Sequence, residues 1–189
     1  MQWNPHWQIE GKHAYLGASK HHWINYSVEK LHTHYAKHRR AQEGTELHLL
    51  AKLLIEKKKK QIRNGTTFNT YVNDAIGFRM DCEVPLFYCD DIFGTPDAIS
   101  YRDHILRVHD LKTGEFPGHF NQLKIYVALF FLEYGKLLRI KPHDIEAIMR
   151  IYQNDMVLEE VADPDEIVAI MEKARLFKAE IERMREVMM

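Results

Sequence analysis

Apolar residues recur every three or four positions over residues 27–63. That spacing is typical of a helix with one buried face. Gly44 falls in the middle of this stretch, and glycine is a poor helix former, so we expect the helix to break near it. Residues 1–26, which precede this helical stretch, are rich in aromatic residues and histidine. Within them, Ser19 is placed to cap a short helix that carries Trp23 and Tyr26.

Short β-like runs replace the helical spacing after Asn64-Gly65. We expect strands over roughly Phe78–Val84, Leu86–Cys89, Pro96–Tyr101, Ile105–Leu111 and Ile145–Tyr152. The segment from Gln122 to about Leu138 is apolar on nearly every side, which predicts a buried helix. Asp163 followed by Pro164 is typical of a helix start and predicts a long closing helix. We therefore expect an α/β fold, with a mixed central β-sheet flanked by helices, a helical N-terminal part and a long C-terminal helix.

Composition limits the function without naming it. The chain has 189 residues, of which 46% are hydrophobic and 28% charged, and no linker-like tract divides it, so we expect a single domain over residues 1–189. The net charge of -1 excludes a global basic field, so a nucleic-acid partner would need a local patch. No apolar run reaches the roughly 18 residues that span a bilayer, and there is no signal-peptide pattern. We expect a cytoplasmic protein without a membrane partner.

Two aspartates are predicted to face each other across a hairpin. If Asp103 and His104 form the centre of a tight turn, the strand register sets Asp97 opposite Asp110, with Cβ atoms about 5 Å apart. Two ionised carboxylates at that separation repel by roughly 3 kcal/mol at an effective dielectric near 20. A cation between them would remove the repulsion, and oxygen ligands suit Mg²⁺ or Mn²⁺. A surface hairpin with a solvated acid pair is an equally good interpretation of these two residues alone.

Four further residues extend this candidate site. Lys112 is two positions after Asp110, so both side chains project from the same face of an extended strand. Gln122 and Tyr126 are four apart on a helix and share one face, where they form either a satisfied core pair or a phosphate-facing pair. His48 edges the apolar stripe of the first helix, where a satisfied core histidine is the more common interpretation.

The ordered set of these residues resembles a known family. Gly44-Thr-x-x-His48, Gly94-Thr-Pro-Asp97, Asp110-Leu-Lys-Thr-Gly114 and Gln122-x-x-x-Tyr126 look like the RecB-type branch of the PD-(D/E)XK nucleases, which includes phage exonucleases and CRISPR-associated adaptation nucleases. The segments His13–Lys20 and Ile151–Gln153 also look similar to phage-encoded members.

The resemblance implies a restriction-endonuclease-like core and a Mg²⁺-dependent deoxyribonuclease of phage or mobile-element recombination, replication or repair. It implies that His48, Asp97, Asp110 and the carbonyl of Leu111 are metal ligands and that Lys112 is catalytic together with the two aspartates. Gln122 and Tyr126 would contact DNA or support the lysine. Many relatives carry four cysteines for an iron–sulfur cluster. This chain has only Cys82 and Cys89, so no cluster is expected.

A basic patch is the predicted contact with the DNA backbone. It comprises Arg39, Arg40, Lys57, Lys58, Lys59 and Lys60, and a solvated helix face is an equally good interpretation of the lysine run. His34 and His38 have a metal-compatible helical spacing, but no third ligand is apparent nearby.

Two other functions stay open. A nucleic-acid-binding or assembly protein on a nuclease-like fold would cut weakly or not at all, and a small histidine-rich metal-binding protein would bind metal without cutting DNA. A homo-oligomer or a recombination or replication partner is compatible with all of these interpretations.

Overall fold

The computed structural model describes residues 14–16, 18–114 and 118–188. The chain divides into two compact units, residues 1–43 and 44–189. In the first unit a 3₁₀ helix covers Ala18–Asn25, where the sequence predicts a short helix. Aromatic rings stack within this unit: Tyr15 on His38 and Tyr26 on His34, each at 4.7 Å between centroids. His13 and Gly17 of the segment that resembles phage proteins lie outside the described residues.

Helix α1 is one continuous helix, Val28–Glu56. The expected break near Gly44 is therefore wrong, and so is the extension to residue 63. A Cβ at Gly44 would lie 2.7 Å from Thr113 Oγ1, so the glycine serves a close approach of two segments. The helix ends because Lys58 adopts a φ of 52° and the Lys59 N–H donates to the Leu54 carbonyl at 2.8 Å, which is a left-handed cap.

Helix α2, Thr67–Gly77, lies where the sequence predicts no helix. Most of its residues are threonine, asparagine, aspartate or aromatic, which are poor helix formers, so burial of Tyr71, Val72 and Ala75 stabilises it instead. The predicted strand Phe78–Val84 is wrong for most of its length, because only β1, Asp81–Cys82, is extended.

The central sheet has five strands in the order β1-β4-β5-β6-β7. Strands β4, Ala98–Arg102, β5, Ile105–Leu111, and β6, Glu146–Gln153, match predicted strands within two residues. Strand β7, Met156–Val161, was missed. Only β5 and β6 pair in parallel, so the sheet is mixed as expected. A separate hairpin pairs β2, Leu86–Cys89, with β3, Ile92–Gly94.

Two hydrophobic clusters cover the faces of this sheet. Helix α3, Asn121–Leu138, is buried as predicted and packs with helix α4, Pro164–Met188, on the larger cluster. Helix α4 starts where expected, since Asp163 Oδ1 accepts the Asp165 N–H at 3.0 Å. Helix α2 and the C-terminal turns of α1 contribute to the smaller cluster. None of the helices in the described part of the chain is long and apolar enough to cross a membrane.

Candidate active site

The two acids lie at one end of the β4–β5 hairpin. Its register pairs Ala98 with His109, so Asp97 and Asp110 are the next positions on the two strands, as the predicted turn requires. The Leu111 N–H donates to Asp97 Oδ2 at 2.8 Å and fixes that carboxylate beside the end of β5. The hairpin therefore brings the two carboxylates to the same end of the sheet.

Asp110 is a buried acid, with 4% of its side chain exposed. Burial raises the pKa of Asp110, the charge of Asp97 raises it further, and Lys112 opposes both. Lys112 Nζ donates to Asp110 Oδ1 at 3.1 Å and lies 2.9 Å from Oδ2. That second contact lacks hydrogen-bond geometry, and Oδ2 has no hydrogen-bond partner within the described residues. This buried carboxylate oxygen is thus paired with the lysine by charge without a hydrogen bond.

A chain of hydrogen bonds holds Lys112 in place. Its Nζ also donates to Gln122 Oε1 at 3.0 Å, and Gln122 Nε2 donates to the Tyr126 hydroxyl at 2.9 Å. Both partners are in the first turns of α3. The Tyr126 ring packs so closely on Gly94 that a Cβ there would lie 2.7 Å from a ring carbon. Of the two roles that the sequence leaves open for Gln122 and Tyr126, this geometry favours support of the lysine.

His48 reaches the same place from α1. Its Nδ1 lies 3.3 Å from Asp97 Oδ1. That hydrogen bond raises the pKa of His48 against the opposing effect of burial, and the charge of Asp110 contributes in the same direction. The three side chains expected to act together, His48, Asp97 and Asp110, are therefore close neighbours.

Three residues that the sequence did not single out close the space beside His48 and Asp97: Lys52, Tyr71 and Glu83. The enclosed volume is about 10 Å³, which is close to the room that one water molecule needs. The Glu83 carboxylate forms an ion pair with Lys52. The backbone N–H of Glu83 donates a hydrogen bond to the Asp97 carbonyl at 3.2 Å. Burial raises the pKa of Tyr71 well above its ordinary value, with Asp97 adding to it, so this phenol remains a hydrogen-bond donor.

Only one of these three had a sequence signal. Lys52 follows His48 by one helical turn and so shares its face. Tyr71 lies in α2, which the sequence pattern missed, and Glu83 lies in a turn with a φ of 50° where a strand was expected.

The two acids form ion pairs and hydrogen bonds with other side chains and an N–H group of the protein, and their oxygens are not directed at one common point. Among residues 14–16, 18–114 and 118–188, no three histidine, cysteine or carboxylate side chains are grouped as a metal site requires. Asp97 is turned towards His48 and the Leu111 N–H, and Asp110 towards Lys112. A metal ion would have to compete with these contacts.

Gln153 braces the loop after β5. Its Nε2 donates to the Gly114 carbonyl at 2.6 Å, and its Oε1 accepts the Gly118 N–H at 3.0 Å. A Cβ at Gly118 would lie 3.3 Å from Lys112 Cγ, so Gly118 lies directly beside the lysine stem.

The predicted basic patch divides between the two units. In the first unit Arg39 pairs with Glu43 at 3.5 Å, and Arg40 is exposed. In the second unit Lys57–Lys60 is a turn and an irregular segment, not the helix end expected from the sequence. Asn73 fixes this segment, because its Oδ1 accepts the Gln61 N–H at 2.7 Å and its Nδ2 donates to the Gln61 carbonyl at 3.0 Å.

Comparisons of the chain with protein-family models, with curated proteins and with solved structures give no match.

Proposed function

We propose that this protein is a Mg²⁺- or Mn²⁺-dependent DNA nuclease of the RecB-type PD-(D/E)XK branch, with a restriction-endonuclease-like core. The observation that carries the proposal is the buried Asp110 carboxylate, held beside Lys112 and next to a second acid, with one oxygen free of hydrogen bonds. A purely structural site has no evident reason to place a buried acid beside a second, half-buried one, because their repulsion raises the free energy of the fold.

The order of elements around the site supports the same proposal. An antiparallel hairpin carries the two acids and the lysine, and α3 then carries the glutamine and tyrosine before the parallel strand β6. A mixed sheet flanked by helices is compatible with the restriction-endonuclease-like core that the resemblance implies.

The residues fit a divalent cation in their chemistry. Two carboxylates and an imidazole are suitable ligands for Mg²⁺ or Mn²⁺, and the unbonded Oδ2 of Asp110 offers a first one. His48, Asp97, Asp110 and the Leu111 carbonyl would hold the ion. When bound, it would lower the pKa of a water molecule and neutralise charge on the leaving oxygen.

Lys112 has the clearest role among the chain's own groups. An ammonium has three N–H donors, and two of them point at Asp110 and Gln122. The third is available to a phosphate oxygen or to the attacking water, on a side chain that is 30% exposed. Because the Gln122 amide donates to Tyr126, its oxygen faces the lysine, and the lysine is oriented before the substrate arrives.

A DNA-binding protein that does not cut is the second candidate. One observation favours it: Lys112 and His48 already balance the charges of Asp110 and Asp97 without an added cation. Such a protein would bind DNA through local cations, with an affinity that falls steeply with salt.

The deciding experiment incubates end-labelled single- and double-stranded DNA with the protein in Mg²⁺, Mn²⁺ or chelator. We expect cleavage with either metal and none with chelator. Asp110→Asn and Lys112→Ala should each slow cleavage by about 1000-fold or more, because each removes a group that acts on the reacting phosphate.

Matched controls change the same charges away from the site. Asp103→Asn alters an exposed acid in the turn of the same hairpin, and Lys173→Ala alters an exposed lysine on α4. Both should cut like the unaltered protein. Cleavage retained in Asp110→Asn and Lys112→Ala would contradict the proposal, and salt-dependent binding without cleavage would establish the second candidate.

A further inference from the structure

A cavity of about 590 Å³ lies at the C-terminal end of α3, between α3, α4 and Tyr88 of β2. Gln122 of the candidate active site is in the first turn of α3, and the α3 residues that line the cavity are centred on Gly135, so the two places are separated by roughly 20 Å along the helix axis. The cavity is therefore distinct from the candidate active site.

Its charge is of one sign. Four cationic residues line it, Lys136, Arg139, Lys141 and Arg175, and no carboxylate does. None of the four pairs with an acid within the described residues. The end of α3 attracts one or two cations through its helix dipole, but four around one cavity repel each other unless an anion binds.

Its floor is apolar and partly aromatic. Phe131 and Met171 are buried beneath it and Tyr88 forms one wall. Gly135 lets the chain after α3 pack closely on the helix end, because a Cβ there would lie 3.1 Å from the Ile140 carbonyl oxygen. A volume of this size and lining is typical of a site for an organic molecule rather than for a bare inorganic ion.

We propose that this cavity binds a nucleoside monophosphate, with the phosphate among the four cations and the base against the aromatic floor. Two guanidinium groups match the paired oxygens of a phosphate, and a phosphomonoester carries enough charge to balance more than one cation, which a single carboxylate does not. Flat aromatic walls suit a base through ring stacking. The proposal does not depend on the nuclease proposal.

The test is calorimetric titration of the full chain with AMP in chelator, so that metal-dependent binding at the candidate active site does not contribute. We expect one site per chain. Adenosine and inorganic phosphate should each bind at least tenfold more weakly than AMP, because each lacks half of the recognised molecule. Octyl phosphate should also bind more weakly, because an alkyl chain cannot stack.

Arg139→Gln/Arg175→Gln should weaken AMP binding at least tenfold. The control Arg79→Gln/Arg102→Gln makes the same change in net charge on residues that line a different cavity, and it should bind AMP normally. Circular dichroism checks that both double variants are folded, and Lys136→Gln/Lys141→Gln tests the same cavity through its other two cations.

Three results would overturn the proposal: no AMP binding, equal loss in the control, or tighter binding of inorganic or octyl phosphate than of AMP. DNA cleavage is not measured here, so neither a failed nor a successful titration decides the nuclease proposal.

Discussion

His109 and Asp110 are adjacent on β5 and project to opposite faces of the sheet, and both are almost fully buried. Burial drives each towards its neutral form, but the two faces treat the groups differently. His109 shares one hydrogen bond, at Nδ1, and burial keeps its ring neutral, while its Nε2 has no hydrogen-bond partner within the described residues. Asp110 lies beside a second acid, and its Oδ2 is paired with Lys112 by charge without a hydrogen bond. One strand thus carries a buried neutral group on one face and a buried carboxylate next to a like charge on the other.

On the face of His109, polar side chains form a connected hydrogen-bond network. The Tyr152 hydroxyl donates to Asp74 Oδ2 at 2.8 Å and lies 3.1 Å from His109 Nδ1, and Arg150 donates to the same Asp74 oxygen at 3.0 Å. Because the phenol proton goes to Asp74, His109 must carry its proton on Nδ1 and donate to the phenol oxygen. Neutral groups in such a network cost the fold less than a buried charge beside a like charge does, and a charge of that kind is usually retained for function.

The largest expected effect that sharpens this contrast comes from Gln122→Ala. The change removes the acceptor that orients Lys112, so we expect DNA cleavage to slow by about 100-fold, or about 2.7 kcal/mol in the barrier. The effect should fall on kcat, with the KM for DNA nearly unchanged, because Gln122 positions the lysine rather than binding the strand.

Asn121→Ala is the neighbouring control in the same helical turn and should cut normally. Tyr126→Phe should lose about tenfold, since it removes only the group that orients the Gln122 amide. A loss confined to KM in Gln122→Ala would assign the glutamine to DNA binding instead.

The contrast between the faces was only partly predictable from sequence. The β4–β5 register followed from one turn, because Asp103 and His104 both adopt positive φ, 52° and 60°, as a two-residue hairpin turn requires. Periodicity also predicted α3 and the start of α4. These are local signals that residues near in sequence specify among themselves.

The remaining features depend on distant contacts. Helix α2 has poor helix formers and is stabilised by packing, with Asp155 accepting the Thr67 N–H at 2.7 Å from 88 residues away. Tyr71 and Asp74, on that helix, were missed for this reason. The approach of Gly44 to Thr113 turned an expected helix break into a packing contact. The ligand roles of His48, Asp97, Asp110 and Leu111 stay predictions.

The next prediction concerns the pH dependence of stability that arises on the face of His109. Burial, with help from Arg150 and Arg107, lowers the pKa of His109 from 6.5 to about 3. In the unfolded chain His109 binds a proton below pH 6.5, whereas in the folded chain it stays neutral down to about pH 3. This contribution to stability is therefore complete above pH 6.5 and is lost as the pH falls, by about 2 kcal/mol at pH 5.

His109→Phe keeps a ring in the core and removes the titration. Urea unfolding between pH 5 and 8 should show that the unaltered protein loses about 2 kcal/mol more than this variant does. His119→Gln changes an exposed histidine and should behave like the unaltered protein. Parallel pH profiles for His109→Phe and the unaltered protein would show that His109 is not a buried neutral ring.

A smaller effect is expected from Tyr152→Phe. The change removes a buried hydroxyl that links Asp74 and His109, and we expect about 1.5 kcal/mol less stability in urea unfolding. DNA cleavage should be unchanged, because the network lies on the face opposite to Asp110. Tyr101→Phe, on β4 of the same sheet, is the control and should cost little. A loss of cleavage as large as that of Gln122→Ala would join the two faces into one functional unit.

The smallest effect has the opposite sign and separates function from stability most directly. Asp110→Asn abolishes the proposed chemistry, yet it removes a buried charge that is repelled by Asp97 and penalised by burial. Loss of the ion pair with Lys112 offsets only part of this gain in stability, because the lysine is partly exposed and water can solvate its charge. We expect Asp110→Asn to be about 1 kcal/mol more stable than the unaltered protein at pH 8, measured by urea unfolding. Asp103→Asn, an exposed acid, should show no such gain. If Asp110→Asn were instead destabilised by several kcal/mol, the carboxylate would be a structural partner of Lys112, and its burial would no longer argue for catalysis.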